Sequence, residues 1–213
     1  MAILLYCIAK CDVPLSKSLI GVAGGPVVRA EIGPLATFTS RNADSAVWLR
    51  AELRTSALEF HRVLSEVFKS AAIIPFRFPT IFNSEELLAE HLRERSSEYN
   101  ALLEKFSDMV QMEISLTYPG LGTPSGSGTE YLKERQTTTH AIESFESDLR
   151  VLLSNLARDW RQRASKNGIR AFALVDRDRV AEFRNIMLNA SVPKRLNVRI
   201  SGPWPVSEFI EQR

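Results

Sequence analysis

From Val110 to Tyr118 the chain alternates with a period of two. Val110, Met112, Ile114, Leu116 and Tyr118 are apolar, and Gln111, Glu113, Ser115 and Thr117 between them are polar. Successive side chains of an extended chain point to opposite faces, so this stretch predicts a strand with one dry face. Its other face is wet or held against a partner. The question for the rest of the chain is what supplies the remaining strands and what covers the dry face.

The first half supplies a sheet of its own. Ile3 to Ala9 is a continuous apolar run and reads as a central strand. Asp12 to Gly25, with Pro14 and three glycines, reads as a loop with one short helical turn. Pro26 to Ile32 and Leu35 to Ser40 form a hairpin about Gly33-Pro34. Asp44 caps a long helix with the stripe Leu49, Leu53, Ala57, Phe60, Leu64 and Phe68. Asn83 with Glu86 opens the next helix in the manner of a capping box, and Leu88, Leu92, Tyr99, Leu103 and Phe106 carry its stripe.

After Tyr118 comes the loop PGLGTPSGSG, then a long helix with the later stripe Ile142, Phe145, Leu149, Leu152, Leu156 and Trp160. Asn167-Gly168 is its expected stop. On this reading Arg158, Arg161, Arg163 and Lys166 form a solvated last-turn cluster that complements the helix dipole. Ile169 to Val175 reads as a buried strand, and Asp176 or Asp178 as the cap of a helix with Val180, Phe183 and Met187 inward. Leu196, Val198 and Ile200 alternate in a last strand, and a short helix starts at Pro205. The fold class that follows is α+β, with two packed α+β domains at 1–107 and 108–213. The second is a modified ferredoxin-like βαβαβ unit, one strand short of βαββαβ.

The segment IIPFRFPTIF, Ile73 to Phe82, places Pro75, Arg77 and Pro79 in the most apolar stretch of the chain. Proline cannot donate to a ladder, so the segment reads as a short edge strand bounded by Pro75 and Pro79. Phe76 and Phe78 would share one face, with Arg77 on the other. A buried lone charge is very costly, so Arg77 is expected to be architectural and paired with a carboxylate or backbone carbonyls.

Little in the chain points to chemistry. With 27 basic and 25 acidic residues the net charge is +2, too balanced for nucleic acid as the main partner. Cys7 and Cys11 make neither a disulfide framework nor a metal motif, which suits a reducing cytoplasm. No stretch is apolar for long enough to span a membrane. The glycine loop lacks the Lys-Ser/Thr of a phosphate loop, having Thr129-Glu130 instead, and is expected to be mobile and to hold no phosphate. His61, His91 and His140 lie far apart, and Asp176 and Asp178 flank arginines that pair with them. No catalytic residue, cofactor or metal is expected. These features alone also suit a small-molecule-binding α+β regulatory module.

Several stretches together resemble the gas vesicle protein F/L family. IIPFRFPTIF following FHRVLSEVF resembles its "LPxRFGT" block, with Pro79 in place of the usual glycine. GTEYLKER (128–135) resembles its "GxxYL" motif, and AFALVDR (171–177) its late strand. SGPWPVSEF (201–209) resembles its terminal "GPWPPYxF", with Val206-Ser207 replacing a Pro-aromatic pair. On this resemblance Pro75, Phe76, Arg77 and Phe78, and Gly202, Pro203 and Trp204, are structural motif residues. The resemblance implies an accessory or minor structural protein of gas vesicle formation, cytoplasmic or at the gas vesicle. Its implied partners are the main gas vesicle shell protein and other accessory vesicle proteins, with no nucleic acid, no membrane and no catalysis.

Overall fold

The apolar run at the N-terminus forms β1, Ala2–Lys10, and every residue from Ala2 to Ala9 is buried. Such a run needs cover on both faces of the sheet. A computed structural model supplies the fold and describes residues 1–13, 18–44, 46, 48, 53–118, 128–165 and 168–210. These form two compact units, 1–107 and 108–213.

In the first unit β1 pairs with β3 (Leu35–Asn42), which pairs in turn with β2 (Val28–Ile32). Gly33, in the turn between β2 and β3, has φ 60°, a left-handed conformation that favours glycine. The other side of β1 carries two very short strands, β4 (Ile74–Pro75) and β5 (Ile81–Phe82). All pairings are antiparallel. Helix α1 (Leu53–Phe68) covers one face, its Phe60 ring 4.8 Å from the ring of Tyr6. Helices α2 (Glu85–Glu94) and α3 (Ser96–Lys105) cover the other. There Phe82, which lies opposite Ile3, comes within 5.4 Å of the His91 ring.

The stripe predicted for α2 and α3 is buried as expected, from Leu88 to Phe106. The helix breaks at Arg95 (φ −105°, ψ 8°), and its cap is Ser84, which accepts from the Leu87 N–H, rather than Asn83. The stripe predicted for α1 is rotated. Leu53 is 63% exposed and Ala57 is exposed, while Ser56, Phe60, Val63, Val67 and Phe68 face inward; Leu49 lies outside the described residues. The loop before β2 sets this roll. Ala23 N–H donates to Glu59 at 2.9 Å, and Arg62 donates to the Ile20 carbonyl at 3.0 Å. The same loop, with its 3-10 turn Val22–Gly24, is tied to the core by Tyr6, whose hydroxyl accepts from Val22 N–H and meets Ser40 Oγ at 3.0 Å.

The second unit runs β6 (Met109–Thr117), α4 (Gly128–Leu152), β7 (Ala157–Ser165), β8 (Gly168–Asp176), α5 (Val180–Asn189) and β9 (Asn197–Trp204). Its antiparallel sheet has the order β7-β8-β6-β9. Val110, Met112, Ile114 and Leu116 are wholly buried, opposite Val175, Ala173, Ala171 and Ile169 of β8. Ile142, Phe145, Leu149, Phe183 and Met187 of the helices are buried with them.

Here the structure corrects the sequence reading. Helix α4 ends at Leu152, and β7 is the strand thought to be missing, so the order is β-α-β-β-α-β. Arg158, Arg161 and Arg163 therefore belong to an edge strand, not to the last turns of a helix. Trp160, at stripe spacing from Leu156, reaches α4 from the sheet instead: its indole N–H donates to Glu146 at 2.5 Å. Asp176 caps nothing and pairs with Arg158 at 2.8 Å. Pro205 to Phe209 form turns rather than a helix. The glycine loop, at 119–127, and Lys166-Asn167 lie outside the described residues.

Candidate functional site: the open face of the second sheet

Both helices of the second unit pack on one face of its sheet. The polar half of the β6 alternation therefore points to the opposite, open face, and strand register assembles its neighbours in rows. Across β7, β8, β6 and β9 one row reads Asp159, Leu174, Gln111, Trp204. The next reads Arg161, Phe172, Glu113, Ser201. Then come Arg163, Arg170, Ser115, Arg199, and finally Ser165, Gly168, Thr117, Asn197.

The first two rows are strapped by the chain that follows β9. Glu208 N–H donates to the Gln111 side-chain oxygen at 2.9 Å, while Arg161 donates to the Glu208 carbonyl at 2.6 Å. Gln111 is on β6 and Arg161 on β7, so Glu208 bridges across β8 at Phe172 and Leu174, and both are buried. Val206, Phe209 and Ile210 are buried as well, and the Arg161 guanidinium lies 5.3 Å over the Phe209 ring. The Glu208 carboxylate pairs with Arg163 at 2.7 Å. Beside it Glu113 pairs with Arg170 at 2.7 Å, and that hydrogen bond holds the Arg170 pKa above its ordinary value. At the far corner Arg158 binds Asp176 through two nitrogens and holds its carboxyl below the usual range.

The predicted residues Gly202, Pro203 and Trp204 sit where the strap leaves the sheet. Gly202 has φ 114°, next to an irregularity in the β6–β9 register between Gln111 and Glu113. Its carbonyl accepts from Arg184 at 2.5 Å, and the Trp204 indole donates to Ser201 at 3.3 Å. The other predicted group, Pro75, Phe76, Arg77 and Phe78, belongs to the first unit. Pro75 is in β4, and the chain leaves the sheet after it and returns at Ile81. The ladder closes on both sides of this excursion, with Phe76 N–H donating to the Tyr6 carbonyl and Leu5 N–H to that of Thr80. Phe76 and Phe78 diverge rather than share a face. Phe78 lies 5.3 Å from Phe60, while Phe76 meets the rings of His91 and Tyr99 edge-on.

Arg77 is exposed, and its guanidinium has no ion pair or hydrogen bond among the described residues. The expected paired arginine is thus corrected: the loop carries it clear of the apolar surroundings. Arg77→Ala should leave the melting temperature within about 3 °C of wild type, as for other surface changes of roughly 0.5 kcal/mol or less. A thermal melt reads this directly, and a large drop would restore the paired reading.

His91 has a stricter setting. It meets Tyr99 at 3.1 Å between the rings of Phe76 and Phe82, and burial, then the nearby Arg95, lowers its pKa. The unfolded chain, with an ordinary histidine pKa of about 6.5, takes up the proton first as pH falls. The resulting stability is complete above that value and is lost as pH falls below it. Thermal melts should show the first unit weakening from pH 7 to pH 5.5, with a shallower slope in His91→Phe. Equal slopes would contradict this account.

Among the described residues, no group of three or more His, Cys, Asp or Glu is placed to hold a metal ion, and no helix is long and apolar enough to cross a membrane. The cysteines are free; burial drives the Cys7 thiol pKa well up, and Cys11 donates to the Gly33 carbonyl at 3.4 Å. Sequence reasoning missed Arg161, Arg163, Arg170 and Glu208 as members of one face. The signal that pointed there was the polar half of the β6 alternation.

Comparison with known proteins gives a consistent answer. No curated protein matches the sequence. The crystal structure of the gas vesicle protein GvpF from Anabaena sp. PCC7120 is similar over 100% of this chain and 97% of that one, with TM-score 0.82 and 15% identity. That of GvpF from Microcystis aeruginosa is similar over 98% of each chain, with TM-score 0.78 and 16% identity. At such identities these likenesses speak for the fold. The family described as "Gas vesicle synthesis protein GvpL/GvpF" matches residues 2–211, nearly the whole sequence. The chain therefore belongs to the GvpL/GvpF family of gas vesicle synthesis proteins.

Proposed function

We propose that this chain is an accessory or minor structural protein of gas vesicle formation. It acts in the cytoplasm and at the vesicle by binding the main shell protein and other accessory vesicle proteins, not by catalysis. The observation that carries this reading is the family match over residues 2–211. The open sheet face supports it as a place to bind. Two of its arginines are held by carboxylates in fixed geometry, as in a recognition surface, and β7, at the edge of the sheet among the described residues, is able to pair with an extended chain.

Removing the chain from a vesicle-forming host should abolish vesicles, read as loss of buoyancy and of light scattering, and returning it should restore them. The full chain should also retain the shell protein in a pull-down. Normal vesicles in its absence would refute the role, and failure to retain the shell protein would refute that partner. Deleting residues 205–213 separates strap from sheet: retention without the strap assigns the contact to the sheet.

A further inference from the structure

We propose that the unstrapped half of this open face docks an acidic, extended segment of a partner protein. The strap covers the two rows that hold Phe172 and Leu174. The remaining rows present Arg163, Arg170 and Arg199 across the sheet, followed by Ser165 and Thr117. The Arg163 side chain is 64% exposed and that of Arg170 47%. Arg199 is exposed and has no side-chain partner among the described residues.

Arg163 and Arg170 are directly opposed in the β7–β8 register. Like charges in that position work against folding, and a bound carboxylate reverses the sign. Each of these arginines meets one carboxylate, Glu208 or Glu113, and keeps further N–H donors for another. Arg170 is steadied by stacking 5.2 Å over the Phe172 ring. The strap shows how such a ligand binds: an irregular segment whose backbone bridges β6 and β7 while its Glu208 carboxylate takes Arg163. A second acidic segment lying beside it meets Arg170 and Arg199 in the same manner. Glu113 and Glu208, set among the arginines, repel a continuous phosphate backbone but accommodate spaced carboxylates. That favours an acidic protein segment over nucleic acid or an anionic membrane.

The test titrates the full-length protein into a short fluorescein-labelled polyglutamate peptide and follows anisotropy. Wild type should bind, more weakly as salt rises. Arg199→Glu should weaken binding about tenfold, since it exchanges an exposed attraction for a repulsion. Its melting temperature should not change, because the Arg199 side chain has no partner among the described residues. Arg93→Glu, an exposed reversal in the first unit, should change binding less than about twofold. No binding, or equal losses in the two variants, overturns the proposal. So does tighter, Arg199-dependent binding of a single-stranded oligonucleotide or of phosphatidylserine vesicles, which would assign the face to a phosphate ligand. The outcome is read separately from shell-protein retention, so either can fail alone.

Discussion

Gly168→Ala is expected to destabilise the second unit severely. Gly168 opens β8, opposite Thr117 on β6 and Ser165 on β7. A Cβ there would lie 1.9 Å from the Leu116 carbonyl oxygen and 2.9 Å from its carbon. Both atoms are backbone of the central strand, so no rotamer change relieves the overlap. Gly168 also has φ 156°. Backbone strain and overpacking together cost roughly 3–5 kcal/mol, against a total of about 5–15 for a typical domain. For a domain of this size that lowers the melting temperature by about 15–30 °C. Gly33→Ala is the comparison: φ is 60°, yet nothing lies within 4 Å of the added carbon, so only the conformational cost of about 1–2 kcal/mol remains. Calorimetry on both variants separates clash from conformation, and equal shifts would refute the packing argument.

Gly202→Ala should rank second. Its Cβ would approach the Gln111 carbonyl oxygen to 2.8 Å and Met112 Sδ to 3.1 Å, at φ 114°. The sulfur can move but the carbonyl cannot, because Gln111 is anchored in β6 between β8 and β9. A cost of about 2–3 kcal/mol is expected, or roughly 10–20 °C in the melt. The change also acts at a distance. Displacing β9 at Gly202 moves Trp204 and the start of the strap, so the bonds from Glu208 to Gln111 and Arg161 lengthen. Faster amide exchange at Glu208 should therefore accompany the lower melting temperature. A stable variant with an unchanged strap would show that glycine is dispensable there.

Much of the fold could be read from local pattern. The β6 alternation, the Ile169 to Val175 run and the α2–α3 stripe each record which side of an element is dry, and each lies where expected. The failures have a common cause in long-range contacts. Leu156 and Trp160 are four apart, so α4 seemed to continue through them. What makes the second stretch a strand is pairing with β8 and a hydrogen bond from Trp160 back to Glu146. The same holds for IIPFRFPTIF, where the prolines announced an interrupted strand but the Tyr6 and Leu5 backbone decides where pairing resumes. The candidate site was legible only by half. Gln111, Glu113, Ser115 and Thr117 marked a face to be occupied, while its arginines sit on strands that register alone brings alongside.

We propose that this protein serves gas vesicle formation by binding partners through the open face of its second sheet. Hydrogen exchange on the full chain, with and without the shell protein and then the other accessory vesicle proteins, tests it most directly. Slowed exchange is expected in β7 (157–165), in the start of β8 at 168–172 and in β9 at 197–201 with at least one of these partners. The amides of α4 and α5, on the far side of the sheet, should not change. Protection confined to the helices or to the first unit, or no protection with any vesicle protein, would contradict it.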